Sequence, residues 1–279
     1  MKPGTALRLS DGLLCLVVVV STSTLVACPF GMIPNIPTRV LRSDRDEPPP
    51  ETAEECFALA DRLGVEGGPQ GDLEEALSAL ERAEKLGADG VDLWVKQLKI
   101  IYYIAAPIQK MRSRVSPWIA KGQTLSKRVE EAAPDRVEGH YYMAVFLGFE
   151  AQNNRLRALD LLPRIVDEGQ RAIDIDETYD DAGGLMLMGS VLIAAPAWPQ
   201  GVGDPEQGVE LLKRGVKVSD YPVNRIILAK GLLEVDQVGE ACEQLDKALL
   251  TPKAGRWART WNMYRPEAYA LWNSYRCYR

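Results

Sequence analysis

Ten small or apolar residues, paired seven apart and recurring along most of the chain, constrain the fold more than any other feature. The pairs are Ala76 and Ala83, Gly122 and Val129, Ile165 and Ala172, Gly208 and Gly215, and Ala241 and Ala248. Seven residues make two turns of α-helix, so each pair occupies one helical face. Side chains of this kind let an antiparallel helix lie close against that face. Between the pairs run other segments with apolar residues three and four apart, such as Val91, Trp94, Val95, Leu98, Ile101, Tyr102 and Ala105. That spacing is an amphipathic helical stripe. No long β-branched run follows residue 40, and the Leu, Ala, Glu, Arg and Lys bias favours helix throughout.

The second members of the five pairs lie 46, 43, 43 and 33 residues apart. The shortest interval is close to the tetratricopeptide period of about 34 residues, and the others are that period plus loop. One helix pair cannot bury its stripe alone, whereas stacked pairs form a solenoid with a concave face. The sequence therefore predicts an all-α, tetratricopeptide-like helical-repeat solenoid of about ten to eleven helices, occupying residues 51–252. Thr52 and Glu55 form a capping-box pattern at its start. Asp72, Asp89, Ser116 with Pro117, and Asp204 with Pro205 are expected to open further helices, and Pro163 to start or bend one.

Residues 1–27 read as a signal peptide, with Lys2 and Arg8 ahead of the apolar run GLLCLVVVV at 12–20. The run is shorter than the roughly 20 residues of a membrane span. Leu25, Val26, Ala27 and Cys28 resemble a bacterial lipobox, which implies cleavage before Cys28 and a lipid on its sulfur. Residues 28–50 are a Pro-rich tether with Pro29, Pro34, Pro37 and three prolines at 48–50, extended at about 3.1 Å per residue. Three unlipidated cysteines then remain, Cys56, Cys242 and Cys277. They allow at most one internal disulfide, and their spacing matches no metal motif.

Past residue 27 the chain carries 31 basic and 38 acidic side chains, a balance that excludes a nucleic-acid surface over most of its length. Residues 253–279 differ: six basic residues face Glu267 alone and are interleaved with Trp257, Trp261, Tyr264, Tyr269, Trp272, Tyr275 and Tyr278. This segment is expected to cap the last repeat, with arginines stacked on rings. His140 is the only histidine, so no second imidazole completes a metal site and no triad is marked. Packing or hydrogen bonding is its expected role. Asp174, Asp176, Asp180 and Asp181 lack the glycine and terminal glutamate of a calcium loop and read as a solvated turn. With no phosphate loop or nucleophile elbow, the sequence predicts no enzyme, no metal and no cofactor.

One stretch, 183–218, stands apart. It joins an uncharged helix containing Met186 and Met188 to an APAWPQGVG loop at 195–203 that a minimal repeat does not need. Its residues LMG at 187–189, APAWP at 195–199 and GDP at 203–205 resemble the L-x-G, A-P-x-W-P and G-D segments of the T component of TPR-associated TRAP transporters. GHYYMAVFLG at 139–148 is similar to that family's H-Y-W-x-A-x-x-L-G segment, with Tyr142 where tryptophan is usual. The resemblance covers roughly residues 70–250. It implies a periplasm-facing lipoprotein with a cleft or pore, homo-oligomers in some members, and association with the solute-binding subunit of a TRAP transporter. Small apolar or organic-acid ligands are implied too. Tyr141, Tyr142, Met186, Met188 and Trp198 are the candidate lining, because thioethers and aromatics suit adaptable apolar sites. The expected location is the envelope of a Gram-negative bacterium, lipid-anchored at Cys28 in the outer membrane. The alternative is a generic repeat scaffold for envelope assembly.

Overall fold

A computed structural model describes residues 49–278. The signal peptide, Cys28 and the tether as far as residue 48 lie outside the described residues. Those described form eleven α-helices: α1 (Ala53–Leu63), α2 (Gln70–Lys85), α3 (Val91–Ala105), α4 (Arg112–Ala132), α5 (Val137–Asn153), α6 (Arg155–Asp176), α7 (Tyr179–Ala194), α8 (Pro205–Val218), α9 (Pro222–Glu234), α10 (Val238–Leu250) and α11 (Trp257–Ser274). Successive helices pack antiparallel as the pairs α1/α2, α3/α4, α5/α6, α7/α8 and α9/α10, and each pair stacks on the next. This is the helical-repeat solenoid that the sequence predicts.

All ten residues of the seven-spaced pairs fall in the even-numbered helices, and all ten are buried. The pairs mark close helix packing. Where Gly122 passes α5, an added Cβ would overlap the Phe146 ring. The odd helices α5 and α7 are apolar around nearly their whole circumference, because each is enclosed by neighbours on every side. No described helix is long and apolar enough to cross a membrane.

Helix starts follow the sequence unevenly. Thr52 and Glu55 make the full capping box, and the Asp204 carboxylate accepts from the Gln207 amide at 3.0 Å. By contrast, α2 begins at Gln70 behind Pro69, leaving Asp72 inside the first turn, where its charge suits the helix dipole. The α4 helix begins at Arg112, so Ser116 and Pro117 do not open it. The Ser116 hydroxyl donates back to the Arg112 carbonyl at 2.6 Å, and Pro117 sits in the second turn, where its missing N–H leaves the Ser113 carbonyl without its helical donor. Pro163 lies within α6.

The C-terminal segment does more than cap. Trp257 and Ala268 bury against α9 and α10, and a disulfide between Cys242 and Cys277 ties the tail to α10. Cys56 is a buried free thiol. Arg265 lies over the rings of Trp261 and Tyr269, at 4.9 and 4.4 Å, as the interleaved sequence predicts. Arg256 reaches the opposite end of the solenoid and pairs with Glu66, 190 positions away in sequence. Gly67 meets the Arg259 backbone there so closely that a Cβ would lie 2.8 Å from its carbonyl oxygen. The solenoid's two ends thus touch across its concave side.

Candidate functional site

A cavity of about 130 Å³ lies on the inner side, lined by α3, α5, α7, α9 and α11, with Leu212 of α8. Its wall is apolar, with Val145 and Phe149 from α5, Met186 and Leu187 from α7, and Ile226 and Ile227 from α9. Odd helices supply these groups because the small residues of the even helices draw the pairs together on the outer side.

Two charged clusters border the wall. In the first, Arg256 pairs with Glu66, Asp180 and Asp181, its distance to Asp180 being 3.5 Å. The guanidinium also lies 4.7 Å above the Tyr221 ring, a cation–π geometry. Burial works against the Arg256 charge, but the hydrogen bond and field of Glu66 outweigh it and push its pKa up. Tyr141 donates its hydroxyl to Asp180 at 2.9 Å. Burial first, and Asp180 next, push this phenol well above the usual tyrosine range, so it remains a donor. Burial also pushes Tyr221 up to about 12, against the opposing hydrogen bond from Thr260. In the second cluster, Lys230, 4% exposed, pairs with Glu267 at 2.5 Å.

The backbone that carries Asp180 is unusual. Asp180, Asp181 and Ala182 have φ of 49°, 57° and 64°, three successive non-glycine residues in the left-handed region. Each costs about 1–2 kcal/mol relative to right-handed helix. The turn is held by several bonds at once: the Ser219 hydroxyl on the Asp181 carboxylate at 2.9 Å, the Asn224 amide on the Asp181 carbonyl at 2.7 Å, and Tyr141 on Asp180. Strain sustained in this way gathers at functional positions. Here it turns Asp180 toward the cavity. Gly183, which follows the turn, lies so close to Tyr141 that a Cβ would be 2.5 Å from the phenol oxygen.

Of the candidate lining residues, Tyr141 and Met186 border the cavity. Tyr142 does not: it is fully buried among the rings of Tyr102, Tyr141, Phe146 and Tyr179. Met188 lies on the other side of α7, packed on α6 so tightly that a Cβ at Gly169 would be 2.5 Å from its sulfur. Trp198 is 85% exposed on the 195–203 loop and does not line the cavity. The two aspartates read as part of a solvated turn, Asp180 and Asp181, are only 13% and 28% exposed at the side chain and face Arg256. Glu66, Arg256, Tyr221, Lys230 and Glu267 enter from segments that carry no motif. Two of them left a trace: Glu267 as the one acidic residue of the basic tail, and Lys230 as a single charge within the otherwise apolar run 226–233.

This arrangement suits binding more than chemistry. Ser190 lines the cavity but its hydroxyl donates to the Met186 carbonyl at 2.8 Å. The cavity's acidic lining residues, Glu66, Asp180 and Glu267, outnumber Lys230 and Arg256, so no surplus positive charge draws in an anion.

Comparison with known proteins bears on the fold. No family model and no curated protein matches the chain. Among solved structures it is similar to a thermophilic TPR protein of Thermus thermophilus, at 18% identity and a TM-score of 0.56, over 78% of this chain and 98% of that one. The chain has the helical-repeat fold of tetratricopeptide proteins.

Proposed function

We propose that this chain is a lipid-anchored binding protein of the bacterial envelope that docks on the solute-binding subunit of a TRAP-type transporter and holds a small apolar ligand. The observation that carries the reading is the apolar cavity on the inner side, framed by Tyr141, Met186 and the Arg256 cluster. A scaffold that used only its outer surface would have no need of it. The resemblance of 139–148 and 187–205 to TRAP T components supplies the partner and the location. It also supplies the anchor at Cys28, with the tether holding the body off the membrane. The lining charge favours a neutral apolar ligand over an organic acid. Trp198, exposed on the 195–203 loop, serves as a contact for the partner, since a large exposed aromatic on a well-braced loop is a typical anchor. The chain acts without catalysis and without a cofactor, and a homo-oligomer would be compatible with the same surfaces.

The test pairs the full chain with the solute-binding subunit of a TRAP system from the same organism, and separately with the neutral apolar probe N-phenyl-1-naphthylamine. Complex formation by sedimentation, and saturable probe binding weakened by filling the cavity with Ile227→Trp, are expected. A chain that binds neither the subunit nor the probe refutes the reading. Membrane co-purification with envelope-assembly proteins in place of a solute-binding subunit would instead support a generic repeat scaffold, which the likeness to a TPR protein favours.

A further inference from the structure

A second cluster of chemistry-bearing groups lies away from the cavity. Glu130 on α4, His140 on α5 and Glu168 on α6 bring one ligand atom each to within 4.8 Å of one another. Three helices of two neighbouring repeats meet at that point. His140 and Glu168 are 4% and 7% exposed.

The hydrogen bonding around the imidazole defines its state. Nε2 faces the Pro134 carbonyl at 2.9 Å, and a carbonyl only accepts, so Nε2 carries a proton. Nδ1 faces the Glu168 carboxylate at 2.7 Å, which when ionised also only accepts. In the neutral tautomer two lone pairs would oppose each other, so something positive must lie between them, either a proton or a metal ion. A metal-bound histidine is oriented by donating its other ring N–H to a carbonyl or carboxylate, as Nε2 does here to Pro134. The third group points the same way. Glu130 Oε1 is shut off from solvent and has no hydrogen-bond partner, a costly condition for a carboxylate oxygen. Gly139 keeps the space beside it open, since a Cβ there would lie 3.0 Å from the Glu130 Cγ. The nearest competing cation is Arg164, whose Nε is 3.5 Å from Glu168 Oε1. It approaches the other carboxylate oxygen, and its side chain is 51% exposed. Arg171 is engaged with Asp167 at 3.3 Å.

We propose that Glu130, His140 and Glu168 form a zinc site that pins α4, α5 and α6 together. One imidazole and two carboxylates match the ligand types that Zn²⁺ accepts at about 2.0–2.2 Å, with water in the fourth position. Ligand atoms around such an ion stand roughly 3.3 Å apart, so the contact between Nδ1 and Glu168 opens by well under 1 Å when the ion enters. Binding releases to solvent the Nδ1 proton of His140 and any proton held by Glu130, since both groups ligate only when deprotonated. Glu130, part-exposed on its outer side, gives the ion its entry. No motif announces the site, because its ligands come from three helices at positions 130, 140 and 168.

The experiment uses the full chain in detergent, stripped with EDTA and dialysed against Zn²⁺, with bound metal measured by mass spectrometry and affinity by competition with a chromophoric chelator. One ion per chain is expected. Glu130→Gln, which leaves the pair of His140 and Glu168 intact, should weaken binding by tenfold or more, and His140→Gln should abolish it. Co²⁺ in place of Zn²⁺ should give the visible bands of a four-coordinate N/O site. Less than one ion in five chains, or an affinity in Glu130→Gln within threefold of the parent, overturns the proposal. The second result would assign the metal to another part of the chain. A His140→Gln variant that fails to fold leaves the Glu130→Gln comparison to decide.

Discussion

Replacing Arg256 by methionine removes the charge that joins the two ends of the solenoid while keeping a stem of similar length over Tyr221. Its cost can be bracketed from the structure. A unit-charge pair at about 4 Å is worth about 4 kcal/mol at the effective dielectric near a protein surface, before desolvation is subtracted. Breaking a fully buried pair costs about 3–5 kcal/mol, whereas an exposed pair is worth about 0–1 kcal/mol. The guanidinium lies between these limits, with a side chain 38% exposed, while Glu66, Asp180 and Asp181 are 17%, 13% and 28% exposed. Lost cation–π attraction adds about 0.5–1 kcal/mol. Together these place Arg256→Met at about 2–3 kcal/mol of lost stability, read from the urea midpoint at constant slope. Most of that loss is carboxylate repulsion, so adding Glu66→Gln and Asp180→Asn to the Arg256→Met background should recover half or more of it. A loss below about 0.5 kcal/mol, the range of an ordinary surface substitution, would refute the clamp. So would a double neutralisation that makes matters worse.

Three further outcomes follow from the packing and charge. Removing the disulfide with Cys242→Ser and Cys277→Ser opens a loop of 35 residues and should cost about 2–4 kcal/mol. Near-UV circular dichroism should report the loosened tail tryptophans, and an unchanged midpoint would count against the docked tail. Gly122→Ala drives a methyl into the fully buried Phe146 ring and should cost about 1–3 kcal/mol, whereas Gly215→Ala meets only the flexible end of Met186 and should stay within about 1 kcal/mol of the parent. Equal losses from the two would show that the close approaches are not what matters. In EDTA, Glu130→Gln should stabilise the chain increasingly as pH rises. Burial, reinforced by Glu168, pushes the Glu130 carboxyl up to about 7 from 4.5, so the folded parent resists ionisation. Its stability is intact below 4.5, falls between 4.5 and 7, and is level above. The full shift would amount to about 3 kcal/mol, which partial exposure reduces to about 1–2 kcal/mol. A pH-independent difference between variant and parent would contradict this.

The repeat was legible because helix packing leaves a local mark. Small residues two turns apart are needed wherever two helices touch, and all five pairs fell on the even helices. The cavity was only partly legible. Met186 and Met188 lie on a helix surrounded by other helices, so no polar stripe distinguishes its inner side from its outer side. Two positions along a helix turn a side chain about 200°, which sends one methionine to the cavity and the other to α6. Tyr141 and Tyr142 divide for a similar reason. Trp198 belongs to a loop braced by a backbone bridge between Ala197 and Gly203 that points its ring outward. The clusters of Arg256 with Glu66 and of Lys230 with Glu267 depend on contacts between distant segments, which no local pattern encodes. The left-handed turn at Asp180 was hidden as well, since aspartate favours ordinary turns equally.

The contact between Glu66 and Arg256 also changes the statistics of unfolding. A linear stack of repeats has two free ends, each bordered by a single neighbour, and it can fray from either one. The ion pair of Glu66 and Arg256 ties the two ends to each other, so fraying from either end must break that contact as well. The chain should therefore unfold as one cooperative unit. A helix pair inserted or deleted in the middle would part Glu66 from Arg256, a penalty that an open solenoid does not carry.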